Sequence, residues 1–434
     1  MKIRILFLLL AFGLQFSVHA KTGKTLYLPK KINTVPENND FSNNNSEYSN
    51  KRSLESDNFI VYWSKEYGDD PLLNPDLKKR FDTKKLLEQS ERFFAYYTNV
   101  LKVVRKGKSV SDKHKILFLV TGGTDNTAYA WGAEDKVGIL WTPASRINKE
   151  PYGVIAHELG HVFQFFANVD HNKVGFGGPI NEMAAQYLLW QVYPEWITFE
   201  NYHLEGFVKK SHKAFLHPEN AYHSPFLLEY WSEKHGKKFY GKMLREVKKD
   251  EDPVETYKRI TKISQDQFNK EVYDASSHFV TWDLKRIEKI ANKYANKHVT
   301  ILNLTGDGWH RVAKENCPEN YGYNAIKLSV PTATNVVSVQ FRGAMNADGF
   351  VHPNAGEAGW YYGFVAYMKD GKRAYGKPNS ERNSSASFKV PKDTAYLWLV
   401  VTGAPKRHTK IGRNADKVDQ WPYEIKLSGT ELSL

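Results

Sequence analysis

Apolar residues fall into three textures along the chain. Short continuous runs come first. Residues 59–63 and 116–120 read as buried strands, and 128–131 and 137–141 as two more. Between them, Leu86, Leu87, Phe93, Phe94, Tyr97, Val100, Leu101 and Val104 recur at helical spacing over 82–104. A second helix is predicted from Pro151, a good first helical residue, through Val154, Ile155, Leu159, Val162, Phe163 and Phe166. A Gly-rich loop over 168–178 ends it, and Pro179 opens another helix running to about Val192. Residues 204–295 keep mostly helical spacing, with breaks near Pro218, Pro225, Gly236 and Pro253. From about residue 299 the texture becomes strand-like, with runs at 324–330, 335–342, 360–368, 385–390, 395–402 and 421–427. Asp370-Gly371 marks a hairpin among them.

These patterns predict an α+β protein. A sheet part over 57–195 and a helical part over 196–298 form one domain. A separate β-sandwich follows over 299–434. Ahead of the first strand, residues 21–56 are polar and rich in Asn and Ser, and read as a flexible linker. Residues 1–20 read as a cleaved signal peptide. Lys2 and Arg4 are its charged start, 5–16 its apolar stretch, and Val18-His19-Ala20 its small-residue end. A secreted or periplasmic protein without a transmembrane segment is expected.

The chain has 434 residues, of which 41% are hydrophobic and 25% charged, and this balance excludes wholesale disorder and a fibrous chain. Its single cysteine, Cys317, excludes an intrachain disulfide and a cysteine-held metal, so any metal must be held by His and carboxylates. Net charge is +13, and +11 once Lys2 and Arg4 leave with the first twenty residues. The basic blocks are short and scattered, so no nucleic-acid partner is expected.

Candidate chemistry sits on the helix after Pro151. His157-Glu158-Leu159-Gly160-His161 is H-E-x-x-H, which stacks two imidazoles on one helical face. Two His do not close a site, because a catalytic zinc takes three protein ligands and keeps a fourth position for water. Glu158, beside the first ligand, can take a proton from that water and hand it to a leaving amine. A His six residues beyond His161 would mark one subclass, but Ala167 stands there, and His171 lies at the wrong interval. Glu182, 21 residues past His161, would return to the imidazoles if two antiparallel helices were joined by the loop.

With Gly178-Pro179-Ile180-Asn181-Glu182-Met183-Ala184-Ala185-Gln186 added to H-E-x-x-H, residues 110–195 resemble the gluzincin clan of zinc metallopeptidases. The overall layout is similar to secreted bacterial gluzincin-like proteins that pair such a domain with a C-terminal β-sandwich. The resemblance implies a zincin-like catalytic domain. It implies His157, His161 and Glu182 as Zn2+ ligands and Glu158 as general base. It places Gln186 where an Asp commonly fixes a ligating His, with Asn181 as a further brace. The implied activity is hydrolysis of peptide bonds in proteins or glycoproteins.

Two more elements are expected at such a site. An edge strand pairs with an extended substrate; Gly138, Ile139 and Leu140 are preferred over the 128–131 run. An oxyanion donor is expected in Tyr222-His223-Ser224-Pro225, with His223 preferred and Tyr202 and His203 as alternatives. A second function class is a weak or inactive zincin-fold protein whose β-sandwich binds glycans or a surface partner. It draws on Trp360, Tyr361, Tyr362, Tyr396, Trp398, Trp421 and Tyr423, although aromatics at strand spacing are more often core.

Overall fold

The computed structural model describes residues 23–332, 335–411 and 415–433, leaving aside the side chains of 290–292 and 416. The expected signal peptide over 1–20 therefore lies outside the described residues. Among the described residues the architecture is mixed α+β with three sheets. Among the described residues, no helix is long and apolar enough to cross a membrane.

The first sheet holds β1 (Ser53–Glu55), β2 (Phe59–Trp63), β3 (Ile116–Thr121), β4 (Tyr129–Ala133) and β5 (Val137–Pro143) in the order β1-β2-β3-β5-β4. The three central strands run parallel and both edge strands antiparallel. Phe59, Val61, Phe118, Val120 and Leu140 face the helices. Ile60, Tyr62, Leu117, Leu119, Ile139 and Trp141 face the other way. A sheet buried on both faces explains why these strands read as unbroken apolar runs.

The second face is covered by the segment expected to be a linker. Ile32 and Tyr48 are buried against it, with Val35 and Phe41 packed alongside. Asn33 O accepts the Trp141 indole N–H at 2.9 Å, and buried Arg52 donates to Asn44 O at 2.7 Å. Residues 23–56 are thus part of the domain. Their few apolar side chains were outnumbered in sequence by Asn and Ser, and here the Asp40 and Asn43 side chains close turns on Ser42 N and Asn45 N.

The helical face carries α1 (Thr83–Ala95) and α2 (Gly153–Asp170), followed by α3 (Ile180–Val192), α4 (Trp196–Phe199), α5 (Asn201–Lys209), α6 (Phe226–His235), α7 (Phe239–Glu246), α8 (Pro253–Thr261), α9 (Gln265–Phe279) and the short α10 (Glu288–Ala291). The helix expected at Pro151 begins at Gly153. α2 lies directly on the sheet because glycine leaves it room. A Cβ on Gly138 would stand 2.2 Å from Val162 Cγ1, and one on Gly132 2.1 Å from the Phe165 ring.

The C-terminal strands form a sandwich of two sheets. One contains β8 (Tyr323–Leu328), β10 (Trp360–Met368), β11 (Arg373–Tyr375) and β13 (Thr394–Gly403). The other contains β6 (Leu302–Gly306), β7 (Trp309–Val312), β9 (Val336–Gly343), β12 (Asn383–Lys389) and β14 (Tyr423–Ser428). β6 and β7 escaped the sequence pattern because their residues are mostly exposed or half-buried. Phe341, Trp360, Tyr362, Phe364 and Tyr423 fill the space between the sheets.

The sandwich is not a separate unit. The outer face of its four-stranded sheet (Tyr323, Ala325, Tyr361, Val365, Trp398, Val400) belongs to the same core as the helices. Tyr361 Oη donates to Asp266 at 2.8 Å and Asn269 Nδ2 to Pro405 O at 2.9 Å. Gly322 lies so close to α5's trailing turn that a Cβ would meet His212 O at 2.0 Å. His408 Nε2 donates to Asp252 Oδ2 at 2.6 Å, while its Nδ1 accepts from Tyr321 Oη at 2.9 Å. The aromatic set considered for glycan contact is consumed by these two cores. Trp360, Tyr361, Tyr362, Trp398, Trp421 and Tyr423 are all buried, and of that set only Tyr396 is exposed. The sandwich therefore offers no aromatic platform from these residues.

Two outcomes are expected. Gly138→Val pushes α2 off the sheet and lowers stability by about 1–3 kcal/mol, read in a urea titration. Asp252 gives a pH dependence. Burial raises its carboxyl pKa, but the bond from His408 outweighs that and holds it below its ordinary 3.8. A depressed carboxylate stabilises the fold above its unfolded-state value and loses that contribution as pH falls through the folded value. Acid unfolding of the wild type should steepen below about pH 3.8. Asp252→Asn, which keeps the helix cap on Glu255 N, should be less stable at neutral pH and flatter in this acid range.

Candidate metal centre

α2 is buried along nearly its whole length, so its polar residues need partners. α3 supplies them. It crosses α2 closely at Gly160, where a Cβ would stand 3.2 Å from Ala185 Cα. This crossing aims Glu182 and Gln186, one turn apart on α3, at the two imidazoles. Glu182 Oε2 lies 3.1 Å from His157 Nε2 and 3.2 Å from His161 Nε2, and the two Nε2 atoms are 3.2 Å apart. All three residues named for metal ligation are thus brought together, within the 4.8 Å span of a group that could hold a metal ion.

The far side of each ring decides what the near side offers. His157 Nδ1 is 3.2 Å from Gln186 Oε1, and His161 Nδ1 is 3.0 Å from Gln164 Oε1. The amide orientations are set by backbone carbonyls. Gln164 Nε2 donates to Asn181 O at 2.8 Å and Gln186 Nε2 to Tyr222 O at 3.3 Å. Both glutamine oxygens therefore face the rings as acceptors, and both rings carry their protons on Nδ1. With that tautomer, two imidazole lone pairs and a carboxylate converge on one point. That is a donor set for a cation. Asn181, expected as a further brace, contributes its backbone oxygen to Gln164. Gln164 was missed; its signal was an amide three residues after His161 on an otherwise apolar helix.

Without a cation, protons on the imidazoles take its place between the rings and Glu182. Burial alone would raise the Glu182 carboxyl pKa, but hydrogen bonds with His157 and His161 outweigh it and hold the group far below the usual carboxylate range. Burial disfavours charge on His161, yet its bond to Glu182 prevails and its pKa is raised. Burial raises Glu158, against the opposing pull of His157 and His161.

The cluster opens into a cavity of about 720 Å³ whose lining includes Glu158, Trp131, Arg146, Tyr202 and Tyr222. Two expectations change here. Gly138, Ile139 and Leu140 lie on β5, an internal strand between β3 and β4, buried throughout. The edge strand beside the cavity is β4, whose Tyr129, Ala130 and Trp131 line it. Both runs are equally apolar in sequence, and only the chain's return as an antiparallel hairpin puts the earlier one outside. His223 does not line the cavity. Its Nδ1 meets His203 Nδ1 at 3.0 Å, while its neighbour Tyr222 faces the centre with its ring 6.2 Å from that of His157. Burial, and then Glu182, raise the Tyr222 phenol, which keeps its proton at neutral pH. His171 lies at the end of α2 and bonds Val247 O at 2.8 Å.

The chain belongs to DUF6055, a family of unknown function whose profile matches residues 18–434. A search of curated proteins found no match.

Proposed function

We propose that this chain is an exported zinc-dependent metallopeptidase of gluzincin type that hydrolyses peptide bonds in proteins or glycoproteins. One observation carries the reading: three lone pairs, from His157, His161 and Glu182, meet at 3.1–3.2 Å beside a buried carboxyl, Glu158, in an open cavity. Tetrahedral zinc with bonds of about 2.0–2.1 Å has ligand–ligand edges of about 3.3 Å, so the spacing fits the ion. Three protein ligands rather than four suit a catalytic site, not a structural one. The ion supplies Lewis acidity when bound, polarising a carbonyl and making water a stronger acid.

The chain's own residues divide the remaining work. Glu158 takes the proton from water and passes it to the leaving amine; its raised pKa suits a group that must hold a proton between two steps. Tyr222, protonated and facing the cavity, donates to the developing oxyanion. The free edge of β4 pairs with an extended substrate backbone. A sheet with an antiparallel edge strand, a motif helix beneath it and a second helix returning the third ligand supports a zincin-like domain.

The purified chain should hold about one zinc. Chelation should abolish peptide cleavage and added zinc restore it. Glu158→Gln should retain zinc and lose about 10²–10⁴-fold in kcat; full peptidase activity in that variant would overturn the mechanism. Tyr222→Phe should lower kcat by about 10²–10³-fold with little change in KM, measured on the same peptide substrate.

A further inference from the structure

Behind His157 the hydrogen bonds run on into the helical part. Gln186 Nε2 lies 3.0 Å from His203 Nε2, and His203 Nδ1 lies 3.0 Å from His223 Nδ1. His203 is buried, stacked on Trp196 at 5.6 Å and flanked by Tyr202 at 4.3 Å. His223 is only partly covered. Glu200 Oε2 stands 4.0 Å from His203 Nε2, beyond hydrogen-bond distance.

The proton positions follow one from the next. An amide nitrogen only donates, so His203 Nε2 accepts and His203 carries its proton on Nδ1. That proton points at His223 Nδ1, which must accept, so His223 keeps its own proton on Nε2. One polarity runs through four side chains, from His223 to the ring that faces Glu182.

A carboxylate behind His157 would need no such help, because either oxygen accepts. An amide has one acceptor end. Turned over, it would set its NH2 against Nδ1–H of His157, drive that proton to Nε2, and remove the lone pair aimed at Glu182 and His161. The Tyr222 carbonyl resists the turn from 3.3 Å, and His203 resists it from closer range.

We infer that His203 and His223 are positioning residues, which hold the Gln186 amide oxygen toward His157 and so keep the His157 Nε2 lone pair presented for metal. This rests on the zinc site proposed above for its purpose, but not for its proton order.

The test uses the full chain with 15N-labelled histidine. In the metal-free wild type, imidazole nitrogen shifts should place the proton of His203 on Nδ1 and that of His223 on Nε2. In Gln186→Glu, the proton of His203 should appear on Nε2, facing the new carboxylate. Finding it on Nε2 already in the wild type overturns the inference. Zinc affinity, by competition with a chromophoric chelator, is the second readout. His203→Ala should weaken zinc by about 10–100-fold in the wild-type background. It should have little effect in Gln186→Glu, where no amide needs orienting. Equal losses in both backgrounds, or none in the wild type, overturn it as well. If His203→Ala fails to fold, His223→Ala, at the partly exposed end, carries the same comparison. A wild type that takes up no zinc sinks the peptidase reading, while the nitrogen shifts still decide the proton order.

Discussion

Two imidazoles turned so that their lone pairs meet a carboxylate form an arrangement that repels itself unless something positive stands between. Everything near it serves to hold that arrangement. Gln186 and Gln164 take the outer protons of the rings, and backbone carbonyls of residues 222 and 181 keep each glutamine from turning over. In a buried helix such a cluster is costly, and its cost is what makes it informative.

That constraint reaches into the fold. The rings keep their register because α2 is clamped on both sides, by the sheet where Gly138 and Gly132 let Val162 and Phe165 settle, and by α3 at the Gly160–Ala185 crossing. The sheet in turn is covered twice, by helices on one face and by residues 23–56 on the other. Neutral glutamines in place of a carboxylate leave the donor set with one formal charge, that of Glu182. A bound dication would then be less neutralised than with an acidic brace, and harder toward a carbonyl oxygen.

Much of this was legible in the sequence. Periodicity puts His157 with His161 on one helical face and Glu182 with Gln186 on another, while the meeting of those two faces was implied by the resemblance to the gluzincin clan. The strands at 360–368 and 395–402 were readable from local pattern as well. What could not be read depends on long-range pairing. β4 and β5 are alike in composition, and only their order in the sheet distinguishes edge from interior. Tyr222 and His223 are adjacent, and the turn ahead of α6 decides which one faces the cavity. The Asn-rich stretch before β1 has too few apolar residues to announce packing, yet Ile32 and Tyr48 are enough to close a face. The aromatic strands read more readily as core than as a binding surface, but nothing in the sequence told that alternate side chains would go to two different cores.

The shared core of helices and sandwich has a consequence for modular exchange. A β-sandwich with its own closed core could be moved from one protein to another. This one could not be moved unaltered, since Tyr323, Val365, Trp398 and Val400 would arrive at their new site bare. Nor could the helical half shed it without exposing Phe207, Phe279 and Trp282, whose rings pack with one another and, for the two phenylalanines, against Tyr323. Separating the two halves would therefore strip apolar cover from both at once.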